Sequence, residues 1–286
     1  MSASGNPGIR RRERGTRLAA AACAAALCTA WAAPGAAGGS VGGGTSGTKP
    51  TIVLVHGAFA DASSWNGVVE RLERRGYPVM APANPLRGLY GDSAYIASVL
   101  DGVKGPIVLV GHSYGGAVIS SAAAGAPRVK ALVYVSALMP DKGESGMSLA
   151  VRFPSELGTA TRSVKYRAGN GIQGTDVYLR RDRLHQVFAA DLPERTARLL
   201  AATQRPAATA AFSEKARAAA WRHIPSWFLV ARQDRTIDPD QERFEARRAG
   251  AHTVEIDSSH VAMISHPGAV TDLILRAAGA AGSTRR

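Results

Sequence analysis

A chain of 286 residues that is 45% hydrophobic is long enough to close one large single-core domain. Its formal net charge of +13 comes from scattered basic residues, 29 Arg against 6 Lys, with no aromatic-interleaved basic patch, so nucleic acid is not an expected partner. No internal repeat or heptad pattern is visible.

The amino terminus opens with Arg10-Arg11-Arg12-Glu13-Arg14 and Arg17. An uncharged, alanine-rich run from Leu18 to Ala33 follows, ending at the small-x-small site Ala30-Trp31-Ala32. Charged region, apolar region and exit site in that order predict an export signal over residues 1–32 and a secreted or periplasmic protein, with the Sec and twin-arginine routes both open. A membrane anchor is the weaker alternative, because Pro34-Gly35 cut the run short of the ~20 strongly apolar residues that a spanning helix needs. Cys23 and Cys28 both lie inside this segment, so a mature chain holds neither a disulfide nor a thiol nucleophile. Loss of five Arg and one Glu would leave it at +9. Residues 33–49 read as a flexible linker, 50–280 as the folded domain and 281–286 as a tail.

From Thr51 onward, short apolar runs alternate with helix-like segments. Strands are expected at Thr51 to Val55, Tyr77 to Ala81, Pro106 to Val110, Val129 to Val135, Ser226 to Val230 and His252 to Ile256. The first, third and fourth are near-continuous Val/Ile/Leu runs of the kind a strand buried on both faces requires. Helices are expected near 65–75, 92–103, 114–124, 239–250 and 267–279. This alternation predicts an α/β fold: a mostly parallel sheet with helices on both faces. The rhythm breaks between about Pro140 and His223, where helical stretches (180–190, 193–203, 207–220) follow one another without a clear strand. An inserted helical lid over about 140–223 accounts for it.

Gly111-His112-Ser113-Tyr114-Gly115 stands between an expected strand and an expected helix. A serine nucleophile must leave the sheet through a sharp turn, and glycines two positions either side make room for it. Gly116 lets the new helix pack closely. A serine hydroxyl also needs a base, and the base an acid to fix its tautomer, in the chain order Ser, Asp or Glu, His. Asp234 follows the Trp227-Phe228-Leu229-Val230 strand as the expected acid, with Asp238 the alternative and Asp240 a further nearby carboxylate. His260 follows the Thr253-Val254-Glu255-Ile256 strand as the expected base. Among the other histidines, His185 is a candidate pocket residue, and no pair has metal-ligand spacing, so neither a metal nor an organic cofactor is expected. The oxyanion donors are expected to be the backbone N–H groups of Tyr114 and Ala58. Phe59 and Trp65 fit either pocket lining or core.

The chain resembles the α/β hydrolases, specifically the branch containing plant methylesterases and hydroxynitrile lyases. HGAFADASSW (56–65) resembles their oxyanion loop, GHSYGG (111–116) their nucleophile elbow and SSHVAMISHP (258–267) their catalytic-histidine loop. The likeness runs over about residues 50 to 280 and is looser in the lid. It implies the α/β-hydrolase fold, with Ser113 as nucleophile, Asp234 as acid, His260 as base, and Ala58 with Tyr114 as the oxyanion hole. The lyases of this branch carry a lysine directly after the catalytic histidine, whereas this chain carries Val261, which disfavours cyanide release. The expected activity is hydrolysis of small carboxylic esters through an acyl-serine, rising with pH as His260 loses its proton. Lactone hydrolysis and perhydrolysis use the same groups, and a ligand-binding protein on a hydrolase scaffold is the alternative from another class. The lid carries no motif that names a substrate, and nothing in the sequence sets the oligomeric state.

Overall fold

A computed structural model describes residues 48–169 and 171–283. The expected export segment, most of the linker and the last three residues lie outside the described residues. Among the described residues the strands are, in chain order, β1 (Thr51–Val55), β2 (Val79–Met80), β3 (Ile107–Ser113), β4 (Val129–Ala137), β5 (Thr161–Arg167), β6 (Gln173–Leu179), β7 (Ala207–Ala208), β8 (Ser226–Ala231) and β9 (His252–Ile256). Six of them form one sheet in the order β2-β1-β3-β4-β8-β9, and every pairing in it is parallel. All seven residues of β3 are buried, as are four of the five in β1 and eight of the nine in β4. A strand covered on both faces has no solvent side to supply with polar residues, hence the unbroken Ile-Val-Leu-Val run. Each such side chain contributes roughly 1.5–3 kcal/mol by burial.

The helices are α1 (Asn66–Arg74), α2 (Leu89–Gly102), α3 (Tyr114–Ala122), α4 (Gly146–Arg152), α5 (Leu157–Ala160), α6 (Arg181–Phe188), α7 (Glu194–Thr203), α8 (Thr209–Ser213), α9 (Pro239–Arg248), α10 (Ala262–Ser265) and α11 (Pro267–Ser283). Helix α11 packs on α1 and on β3, β4 and β8, while α2 and α3 pack together and α3 lies on β3 and β4. Starting from β1 the chain steps outward to β2, then crosses back to β3 and proceeds to the opposite edge. The reversal between β1 and β3 opens a crevice at their carboxyl ends, where ligands bind in open parallel sheets.

The segment between β4 and β8 is not the purely helical lid the sequence suggests. It contains a three-stranded antiparallel sheet, β5-β6-β7, with the long hairpin Thr161–Arg167 against Gln173–Leu179. The expected helix over 207–220 is instead the two-residue strand β7, the short helix α8 and a 3₁₀ turn at Ala220–Arg222. This lid is tied to the core by Phe59 N–H donating to Arg205 O (2.9 Å) and Ala208 N–H to Leu86 O (2.8 Å), and by the Arg87–Asp176 ion pair (2.8 Å).

Candidate active site

Three loops at the carboxyl ends of β1, β8 and β9 meet at the turn between β3 and α3. Ser113 ends β3 with φ 53 and ψ −128, a left-handed conformation that a non-glycine residue adopts only when its surroundings force it. The glycines around it are the sequence's answer to crowding. A Cβ on Gly115 would stand 2.5 Å from Val55 O, and one on Gly116 would stand 2.4 Å from Leu138 O. Only bare backbone lets α3 start this close to β1 and β4. Gly57 serves the facing loop in the same way, since its Cβ would lie 2.5 Å from that of Ser113.

Asp234 and His260, 26 residues apart, are in contact. His260 Nδ1 lies 2.5 Å from Asp234 Oδ2, with both side chains fully buried. The other carboxylate oxygen of Asp234 accepts the N–H groups of Thr236 (2.7 Å) and Ile237 (3.0 Å). With Asp234 accepting at Nδ1–H, the Nε2 of His260 is the free basic nitrogen. Nε2 is buried and has no hydrogen-bond partner, so Ser113 Oγ does not yet engage it. Such bonds are commonly long in unliganded enzymes and tighten with substrate. Asp238 is elsewhere occupied: it caps α9, accepting Asp240 N–H at 2.8 Å. Asp240 is paired with Arg243 at the surface.

His112 braces the base from the other side. Its Nε2 bonds His260 O (3.0 Å) and its ring centroid is 4.7 Å from that of His260. Burial, followed by the neighbouring His260, holds the pKa of His112 well below the ordinary imidazole value, so it stays neutral. Tyr114 is the first residue of α3, whose N–H has no intrahelical acceptor. On the facing loop, Phe59 N–H is already committed to Arg205 O, which leaves the neighbouring Ala58 N–H as the available donor. That loop is set by His56, whose Nε2 accepts Asn84 N–H (2.9 Å) while Asn84 Nδ2 donates to His56 O (2.9 Å). Asn84, 28 residues away, carries no sequence signal for this part.

Ser113 opens into a cavity of about 430 Å³ walled by Ala58, Phe59, Leu138, Met147, Leu157 and Phe212 and roofed by lid residues. Among the described residues, none that lines it carries an ionisable side chain. Phe59 is thus pocket lining, with its ring 6.3 Å from that of Phe212, whereas Trp65 is fully buried against His112 and belongs to the core. His185 is a correction: it does not line the cavity, and its Nε2 instead bonds Leu192 O at 2.9 Å inside the lid.

Two further carboxyl groups, Glu242 and Glu245 of α9, are fully buried beside the site. Burial, and next the charge of Asp234, push Glu242 well above its ordinary pKa; it is held by Ala231 N–H at 3.0 Å. Burial pushes Glu245 up to about 8 from an ordinary 4.5, although Met139 N–H donates to it (3.0 Å). A folded pKa above the unfolded one means stability that is whole below pH 4.5 and is lost as pH rises through about 8. Glu245→Gln keeps the oxygen that Met139 needs and removes the titration. Its melting temperature relative to wild type is therefore expected to climb between pH 5 and 8, by the equivalent of ~1 kcal/mol or more. An equal offset at both pH values would contradict the assignment.

A model of the Alpha/beta hydrolase family matches residues 52–273. The chain is 27% identical over 256 residues to "Alpha/beta hydrolase nvfD" of Aspergillus novofumigatus, an alignment covering 82% of this chain and 98% of that one. It is 31% identical over 163 residues to a pyrethroid hydrolase of Sphingobium wenxiniae, covering 51% and 57%. The crystal structure of polyneuridine aldehyde esterase superposes with a TM-score of 0.70 at 20% identity, over 80% of this chain and 99% of the other. The match from β1 into α11 takes in the elbow, both following loops and the lid between them, and the chain therefore belongs to the α/β hydrolase family.

Proposed function

We propose that the protein is a serine esterase acting on uncharged carboxylic esters through an acyl-serine intermediate. The observation that carries this reading is the position of Ser113: the strained residue of the elbow is also the hydroxyl that opens into a mostly apolar cavity whose polar lining, Thr161, Ser163, Thr236 and Gln241 among it, is uncharged. His260 Nε2 takes the proton of Ser113 Oγ as the oxygen attacks the ester carbonyl. Asp234 holds Nδ1–H and stabilises the imidazolium. The N–H groups of Ala58 and Tyr114 receive the oxyanion. The carbon–alkoxy bond breaks as His260 returns the proton to the departing alcohol, and water repeats the cycle to free the acid. Relatives named as esterases and hydrolases support this chemistry.

A mostly apolar wall without an ionisable side chain offers a charged substrate no counter-charge for the water it gives up. Over a panel of p-nitrophenyl esters and lactones, uncharged acyl groups are expected to give kcat/KM values roughly tenfold or more above carboxylate-bearing ones of equal size. Preference for charged acyl groups would overturn the reading, and lactone turnover would extend it with the same residues. No cyanide release from mandelonitrile above the uncatalysed rate is expected, because fully buried Val261 supplies no charge next to the base.

The protein is further proposed to be exported, on the order of charged, apolar and small-residue segments over residues 1–32. Mass spectrometry of secreted material should find an amino terminus between Ala33 and Ser40. A fully active cytoplasmic form beginning at Met1 would contradict export.

A further inference from the structure

The lid touches the catalytic loop at one ionised side chain. Asp191 lies in the turn between α6 and α7, its carboxylate largely sheltered at 16% side-chain exposure. Its Oδ1 accepts the Ser259 hydroxyl at 2.5 Å. Its Oδ2 accepts Ser259 N–H at 3.0 Å and the Ser258 hydroxyl at 3.2 Å. All three donors belong to the two residues immediately before His260, and Ser258, Ser259 and His260 are all buried. Burial alone would raise the pKa of Asp191, but the hydrogen bonds from Ser259 and its neighbours outweigh it and hold the group below its ordinary value. The carboxylate is thus the charged acceptor of a partly buried network whose donors are buried.

The turn that presents Asp191 is itself fastened. His185 Nε2–H donates to Leu192 O (2.9 Å), and Leu192 N–H donates to Ala189 O (3.1 Å). Phe188, the last residue of α6 before this turn, has its ring centroid 5.1 Å from that of His260. Ser258 Oγ also has Ser259 O within reach at 2.9 Å, so it is Ser259 that depends on Asp191. Without it the buried Ser259 N–H would lose its acceptor and the Ser259 hydroxyl would keep only Phe188 O at 3.4 Å, and the loop would shift to find others.

We propose that Asp191 is a positioning residue: it latches the loop that carries His260 to the lid, so that docking of the lid turn sets the register of the base against Asp234 and Ser113. This rests on His260 serving Ser113 as base. It makes lid and catalytic loop one mechanical unit although 68 residues separate Asp191 from Ser259.

The test measures kcat and KM on a p-nitrophenyl ester, together with the rate of fluorophosphonate labelling, for Asp191→Ala, Asp191→Asn, Ser259→Ala and Ser113→Ala. Misplacing the base is expected to lower kcat of Asp191→Ala roughly ten- to a hundredfold. KM should stay within about twofold, because Asp191 does not line the cavity. Labelling should slow by the same factor as kcat. Asp191→Asn, which keeps one acceptor oxygen, and Ser259→Ala, which keeps the backbone donor, should fall in between, and they carry the test if Asp191→Ala does not fold. Unchanged kcat in these variants, or a loss confined to KM, overturns the latch. Activity surviving in Ser113→Ala would refute the nucleophile itself, whereas an inactive Ser113→Ala beside a fully active Asp191→Ala would refute the latch alone.

Discussion

Ser113→Ala and His260→Ala are each expected to lower kcat for ester hydrolysis by on the order of 10⁴-fold, and the double variant by scarcely more, because nucleophile and base act as a unit. Ser113→Ala removes one oxygen from a residue already held by the crowding of Gly57, Gly115 and Gly116, so its melting temperature should match wild type. His260→Ala should also melt earlier, since it empties a fully buried site and strands the Asp234 carboxylate that it contacts at 2.5 Å. Steady-state kinetics alongside thermal melts separate the two effects. A Ser113→Ala enzyme within tenfold of wild type would remove Ser113 from the chemistry.

Asp234→Asn is the second large effect, on the order of 10³- to 10⁴-fold in kcat. Asparagine can keep the bonds from Thr236 and Ile237 N–H through one oxygen, but it turns an NH₂ toward His260 Nδ1. That favours the tautomer with the proton on Nε2, where it cannot accept one from Ser113. Asp238→Asn is the matched control, because Asp238 only caps α9 and asparagine caps a helix as well as aspartate. It should remain within about twofold of wild type in kcat. A dead Asp238→Asn beside a near-normal Asp234→Asn would reverse the assignment of the acid.

What was legible beforehand follows from where the physics is local. Strands at Thr51 to Val55, Pro106 to Val110 and Val129 to Val135 are read from the sequence because burial on both faces leaves short β-branched-rich apolar runs bounded by turn residues. The second and third run on to Ser113 and Ala137, where the polar and small residues of the site hide the strand ends. The elbow is read because strain at one residue forces glycines at fixed spacing around it. The lid sheet escapes for the opposite reason. In Thr161–Arg167 most side chains are exposed, so Thr-Arg-Ser-Val-Lys-Tyr-Arg presents no core face, and its stability comes from pairing with Gln173–Leu179. The Gly-Asn-Gly sequence at 169–171, a composition common in hairpin loops, is the signal that could have exposed the hairpin. Alanine-rich 207–220 looks helical by propensity, yet Ala207 and Ala208 are taken up as a strand against β6. Asn84 and Asp191 act across 28 and 68 residues through single side chains, and no periodicity records such a contact.

The most direct test of the account is incubation of the folded protein with a fluorophosphonate, followed by intact-mass measurement and peptide mapping. One adduct per chain is predicted, located on Ser113, absent from Ser113→Ala and strongly slowed in His260→Ala. Folded wild-type protein that stays unlabelled, or that carries its adduct on another residue, would contradict the assignment of Ser113 as an activated nucleophile and leave the cavity as a binding site on a hydrolase scaffold.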